Sequence, residues 1–183
     1  MSGGGAPGTH DFAAVLIAAQ QNAPWACTLL WLHYSPAVAA FLRHRGSAEP
    51  DDLTSEVFLA VFSQLQTFEG GEPEFRSFVF SIAYRRLVDE LRKRERRGST
   101  VEWIAGEDRR VSPSAEDEAL RRVGDDSALD LLDGLPDDQR NVMVLRILGD
   151  LTVEQIAVVL GKRPGAVKAL QRRALDSLRK KLS

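Results

Sequence analysis

The chain has 183 residues, 44% of them apolar and 27% charged, enough for a packed core and in keeping with one domain or two small ones. Its formal charge of −2, from 24 basic and 26 acidic side chains, argues against a uniformly basic nucleic-acid coat. A single cysteine, Cys27, excludes an intrachain disulfide framework and a cysteine-based metal cluster, and it fits a reducing cytoplasm.

The small net charge conceals a segregation by position. Residues 1–75 carry −6, residues 76–97 carry +5, residues 102–138 carry −8, residues 139–160 balance, and residues 161–183 carry +7. Two short basic blocks, each beside acidic sequence, read as two separate anion-binding surfaces. Periodicity is helical almost throughout. There is no convincing period-two alternation and no Asn-Gly or Asp-Gly hairpin between apolar runs, which places the chain in the all-α class.

Residues 1–10 are read as a disordered, non-targeting tail, because this Gly/Pro-containing start lacks the basic segment of a signal peptide. From Asp11 to His44 apolar residues recur at helical spacing, with breaks at Pro24 and near Ser35-Pro36, so two helices are expected, the second bent at its proline. Asp51 and Asp52 place negative charge at the start of a helix running to about Phe68. Apolar runs such as Val57 to Phe62 fall far short of the roughly 20 residues of a membrane helix. Glu69-Gly70-Gly71-Glu72-Pro73 ends that helix, and a long one follows from about Glu74 to Arg97, built on Phe75, Phe78, Val79, Ile82, Ala83, Leu87 and Leu91 and stopped by Gly98.

Residues 98–127 combine Gly98, Gly106, Ser112-Pro113-Ser114 and Gly124 with acidic clusters, the composition of a flexible acidic linker. Two small helical domains, residues 11–97 and 128–183, are therefore expected on either side of it. In the second, Leu135-Pro136 interrupts the helical stretch from Ser127 to Leu148.

Near the C-terminus the spacing is that of a helix-turn-helix. Thr152 is an N-cap, Glu154 to Leu160 supplies a short helix, Gly161 can take a positive φ in the turn, and Pro164 opens a second helix where its missing N–H costs nothing. With Val167, Leu170, Ala174 and Leu178 inward, Arg163, Lys168 and Arg172 project outward, flanked by Gln171 and Arg173, to enter a major groove or grip its phosphates. The alternative is a solvated basic helix closing a bundle. That accounts for Arg179, Lys180 and Lys181 at the helix end, where cations meet the negative dipole, but not for Arg163 and Lys168 at its beginning.

The other basic block mixes Arg76, Arg85, Arg86, Arg92, Lys93, Arg94, Arg96 and Arg97 with Phe80 and Tyr84. Cations beside aromatic rings suit a single-stranded or melting nucleic acid, since phosphates take the charge and unstacked bases take the rings. Against this stands the ordinary reading, in which the charges are a solvated helix end and Phe80 is core.

An enzyme has little support. His10, His33 and His44 are scattered without an H-x-x-x-H pair, Cys27 has no reactive signature, and no P-loop or dinucleotide glycine pattern occurs. No catalytic residue, metal ligand or cofactor is assigned, and Asp125-Asp126 reads as part of the acidic tether.

The order of these segments resembles the extracytoplasmic-function (ECF, group 4) sigma factors of the sigma-70 family, over about residues 26–97 and 130–182. Asp52-Leu53-Thr54-Ser55-Glu56-Val57-Phe58-Leu59 is similar to the family's region 2.2. The run from Phe75 through Ala83 to Leu91-Arg92-Lys93-Arg94 is similar to its promoter-opening helix. Leu135-Pro136-Asp137-Asp138-Gln139-Arg140, Leu145-Arg146 and Leu151-Thr152-Val153-Glu154-Gln155-Ile156-Ala157 match the opening of region 4. The resemblance implies a sigma-2-like domain and a sigma-4-like domain in a cytoplasmic subunit that directs core RNA polymerase to promoters. It implies docking of Asp52, Ser55 and Glu56 on the beta-prime coiled coil, contact of the sigma-4-like domain with the beta flap, and control by an anti-sigma factor, without membrane insertion. The minus 10 strand would be captured by Arg76, Phe80, Tyr84, Arg85, Arg86 and Arg92, with a base flipped from the stack. The minus 35 duplex would be read by Arg163, Lys168, Gln171, Arg172 and Arg173. The chain departs from the common family pattern at Ser55, where many members carry Gln, at Arg85, where many carry Asn, and at Leu170, where many carry Arg. The runner-up is a helix-turn-helix regulator that binds duplex DNA without polymerase, which leaves the first hundred residues unexplained.

Overall fold

A computed structural model describes residues 11–100 and 129–182, and within them every regular element is helical. The expected tail and nearly all of the acidic linker lie outside the described residues. In chain order the helices are α1 (Phe12–Gln20), α2 (Pro24–His44), α3 (Pro50–Gln64), α4 (Glu72–Thr100), α5 (Asp137–Ile147), α6 (Val153–Leu160) and α7 (Pro164–Leu182). Short 3₁₀ turns at Leu65–Thr67 and Leu131–Gly134 follow α3 and precede α5.

Two boundaries differ from the sequence reading, those of α3 and α4, while helix α2 runs on through Pro36 to His44 as the one helix expected there. The proline and Leu32, whose carbonyl loses its usual i+4 donor, both lie on the exposed face, where water can take that carbonyl. Helix α3 tightens into the 3₁₀ turn at Leu65 instead of continuing to Phe68. Helix α4 begins at Glu72, with Pro73 in the first turn where no N–H is needed, and passes Gly98 to end at Thr100.

Helices α1 to α4 surround an aromatic core. The Phe75 ring is edge-on to Tyr34 at 5.2 Å and to Phe68 at 5.5 Å, Phe41 is edge-on to Phe80, and Trp31 to Phe58. Gln20 ties the α3–α4 connection down by donating to the carbonyls of Leu65 and Phe68 at 3.1 and 2.8 Å. Among the described residues only α2 has the length and composition to cross a membrane, and its Leu30, Tyr34, Val38, Phe41 and Leu42 are buried against neighbouring helices.

Helices α5 to α7 form the second unit. Val142, Val144, Leu145, Leu151, Ile156, Val167 and Ala174 fill its centre. Thr152 and Gln155 form a reciprocal capping box on α6, the hydroxyl accepting from the Gln155 N–H while the Gln155 side chain accepts from the Thr152 N–H. Gly161 then takes a left-handed conformation, φ +63°, which a side chain would disfavour, and turns the chain into α7. The two units touch: α6 packs along α4, and α5 meets α2.

Candidate nucleic-acid interface

Helix α7 presents Lys168, Arg172 and Arg173 to solvent, and Arg163, just before its first residue, is exposed too, with Gln171 half-buried and Val167 and Ala174 fully buried on the opposite side. Lys168, Gln171, Arg172, Leu175, Asp176 and Arg179 line one shallow groove on its outer surface. Residues spaced by three or four align on a helix, so this stripe is continuous for about three turns. Within it the Asp176 carboxylate accepts from Arg179 at 3.3 Å. A Cβ at Gly165 would meet nothing within 4 Å, so the first turn has open space around its backbone. The expected minus 35 residues thus share one unit, with Lys168, Gln171 and Arg172 on a single surface and Arg163 and Arg173 at its flanks.

On α4 the expected minus 10 residues divide between two faces. Arg76, Phe80 and Tyr84 follow one another at i+4, whereas Arg85 is nine positions beyond Arg76, about 180° around the helix. Arg85 and Arg92, seven apart, share that opposite side and are exposed. Arg86 is exposed beside α3, where it lines a shallow crevice with Glu56, Leu59 and Ser63.

The first face is occupied. Arg76 is held between two carboxylates, Glu72 of its own helix at 2.8 Å and Asp150 of the α5–α6 turn at 3.0 Å. Phe80 is buried, its ring against Phe41 and close to the backbone of Gly149, where an added Cβ would come within 3.4 Å of it. Tyr84 is half-buried and near enough to Arg45 to act on it electrostatically. Phe80 therefore takes the core position that the sequence reading held open, and is not part of the exposed surface in this arrangement.

The contact between the units has its own polar centre. Arg45 at the end of α2 is 9% exposed, and its Nε donates to Asn141 Oδ1 at 2.6 Å, with Asn141 6% exposed. Asp137 lies 3.5 Å from the same guanidinium. Burial lowers the Arg45 pKa and Asp137 opposes the shift. Gln155 Nε2 donates to the Pro73 carbonyl at 2.8 Å. Under this contact Tyr34 is buried beside Glu72 and Arg76, its pKa pushed up to about 12, first by burial and then by the Glu72 charge.

On α3, Asp52, Ser55 and Glu56 are all exposed, with the Ser55 hydroxyl donating to the Asp51 carbonyl at 3.2 Å. Leu59, 72% exposed, continues their stripe. Sequence reading passed over it, although its i+3 spacing from Glu56 was visible. Arg45, Asn141 and Asp150 were also passed over, and no local pattern marks them, since the partners lie 96 and 74 positions apart; Gln155 stands in a Thr-x-x-Gln capping pattern, but its bond to Pro73, 82 positions away, has no local sign.

Comparison with known proteins meets this geometry on both units. The Sigma-70 region 2 family matches residues 30–97 and the Sigma-70, region 4 family matches residues 131–180. The ECF RNA polymerase sigma factor ShbA of Streptomyces griseus is 35% identical over 162 residues, covering 82% of this chain and 84% of that protein. The ECF RNA polymerase sigma factor BldN of Streptomyces coelicolor is 31% identical over 151 residues, covering 81% of this chain but 57% of BldN. Among solved structures, CnrH in complex with the cytosolic domain of CnrY superposes with a TM-score of 0.64 at 22% identity, covering 93% and 96% of the two chains. The sigma factor RpoE in complex with the anti-sigma factor NepR from Bartonella quintana does so at 0.62 and 21%, covering 85% and 95%. These two structures share the fold. With a region 2 unit, a region 4 helix-turn-helix and a relative of this identity and coverage, the chain belongs to the ECF RNA polymerase sigma factors of the sigma-70 family, which are transcription initiation factors.

Proposed function

We propose that the chain directs core RNA polymerase to promoters carrying two separated elements. The observation that carries this reading is the pairing of a solvent-facing cationic stripe on α7 with a second cationic helix, α4, in one chain with matches to regions 2 and 4. The unit of residues 128–183 reads the minus 35 duplex through Arg163, Lys168, Gln171, Arg172 and Arg173. The unit of residues 11–97 engages the minus 10 strand through Arg85, Arg86 and Arg92, joined by Arg76, Tyr84 and Phe80 when their face is uncovered. Residues 98–127 tether the two.

Asp52, Ser55, Glu56 and the neighbouring Leu59 form the polymerase-facing stripe. Its mixed acidic and apolar chemistry suits a basic, partly apolar partner such as the beta-prime coiled coil, and the region 4 unit suits the beta flap. An anti-sigma factor controls the chain on this reading, supported by the complex of the Bartonella quintana sigma factor RpoE with the anti-sigma factor NepR. The chain acts by binding rather than by catalysis, in the cytoplasm where polymerase and promoters meet.

In vitro transcription with core polymerase and fragmented genomic DNA tests this. Promoter-specific starts preceded by shared elements at both spacings are expected. Tight duplex binding without polymerase, and no specific initiation with it, would establish the helix-turn-helix regulator instead.

A further inference from the structure

Helix α1 stands before the residues matched by region 2, yet it touches both ends of the connection that leads from α3 into α4. At its last residue, half-buried Gln20, Nε2 donates to the Leu65 carbonyl at 3.1 Å and to the Phe68 carbonyl at 2.8 Å. Leu65 opens the 3₁₀ turn and Phe68 closes it, so one carboxamide nitrogen spans the turn with its two N–H groups. At its first residue, the Phe12 ring lies 5.6 Å from that of Phe75, which is fully buried in the first turns of α4 and edge-on to Phe68. Nine residues without a charge or a side-chain cap make a marginal helix alone, so α1 is held by packing through Val15, Leu16 and Ala19.

The last carbonyls of a helix lack intrahelical donors, and Gln20 supplies one just where α3 runs out. Downstream the chain is pinned a second time. Glu74 Oε2 accepts from the Gly71 N–H at 2.9 Å. Gly70, at φ +145°, leaves no room for a side chain, since a Cβ there would fall 2.7 Å from the Glu74 Cβ. Between these two holds Glu69, Gly70 and Gly71 are exposed, a short stretch whose path is set from either side.

We infer that α1 is a brace for the connection of residues 65–71 and that Gln20 is a positioning residue for strand recognition. By holding the Leu65 and Phe68 carbonyls it fixes the exposed stretch at the head of α4. Gln20 touches no strand itself and acts through the connection. Without the hold the stretch samples several paths, and ordering it on each binding event takes away part of the preference for the base that fits one path. The inference rests on the reading of α4 as the strand-binding helix.

The test uses holoenzyme reconstituted from core polymerase and the full chain. Its template is a barcoded library in which the minus 10 element of an active promoter is randomised and the rest is kept. Sequencing the transcripts gives the base preference at each minus 10 position. Gln20→Met, close in shape but without donors, should lower that preference about two- to tenfold, the range one net hydrogen bond supports, with core polymerase affinity and minus 35 duplex binding unchanged. Gln20→Lys, whose ammonium can donate to both carbonyls, should regain most of it. Gln21→Met, at the exposed neighbouring residue, should change nothing. Val38→Ala, a cavity at a fully buried position of the same unit, should lower the melting temperature and leave the preference intact. Full preference in Gln20→Met overturns the brace. So does an equal loss of preference in Val38→Ala, which would make Gln20 only a contributor to stability. A library from which the unaltered chain selects no minus 10 sequence would instead overturn the reading of α4.

Discussion

Arg76 bound to two carboxylates and Arg45 bound to a carboxamide represent two ways of keeping a cation inside a protein. The first, at a wet rim, is individually worth little, at most about 1 kcal/mol. The second is sensitive to deletion, because a guanidinium 9% exposed has little water to fall back on. Asn141→Ala should lower the urea midpoint, with a loss of about 1–3 kcal/mol for the orphaned donor. The double change Arg45→Met with Asn141→Leu should recover most of it, because apolar residues of similar volume need no partner. Tyr34 yields a pH dependence. Its pKa rises to about 12 in the folded chain, above the ordinary value near 10, so the folded state holds the proton more tightly. The stability contribution is complete below pH 10 and is lost as pH climbs toward 12, by at most a few kcal/mol. The Tyr34 hydroxyl is buried close to Glu72 and Arg76, with no hydrogen bond of normal geometry to either. Tyr34→Phe should therefore keep or slightly raise stability at neutral pH and remove the alkaline loss, as followed by thermal melting between pH 8 and 11.

At the scale of elements, the division of labour proposed for α7 and α3 is tested by two pairs of substitutions. Lys168→Ala and Arg172→Ala should relax minus 35 discrimination, by about 1–3 kcal/mol where the lost contact is bidentate to a base, while core polymerase affinity stays unchanged. Asp52→Ala with Glu56→Ala should weaken polymerase binding and spare binding of the isolated duplex. Equal losses in both assays for either pair would contradict the assignment. The helices themselves were legible because their cores repeat at helical spacing: Val167 and Ala174, or Phe75, Val79 and Ala83, can be placed inward from the sequence alone. Thr152 and Gly161 were legible as cap and turn because their chemistry is local. Pro36 could be placed inside one helix from the sequence, but whether the carbonyl it orphans meets water is decided only by the packing. Phe80 remained ambiguous for a related reason, since a ring at a core-compatible position is indistinguishable from a base-stacking ring until its neighbours are known.

For the whole molecule, the near-zero net charge resolves into surfaces that partly neutralise one another across the contact between units. Among the described residues, Asp137 and Asp150 of the region 4 unit each sit on an arginine of the region 2 unit. No spacing rule could have shown this, because charge blocks along a chain do not reveal which blocks meet.

The Gln155 side chain spans both levels of organisation. Its Oε1 closes the capping box at Thr152 and its Nε2 donates to the Pro73 carbonyl, so one rotamer both starts the helix-turn-helix and joins the two units. Glutamate serves a capping box as well as glutamine, yet it has no donor for Pro73. Gln155→Glu should leave the helical circular dichroism intact while lowering energy transfer between dyes placed on the two units. A substitution that an inventory of helix caps would count as silent thus becomes a means of separating how the reading head folds from where it is parked.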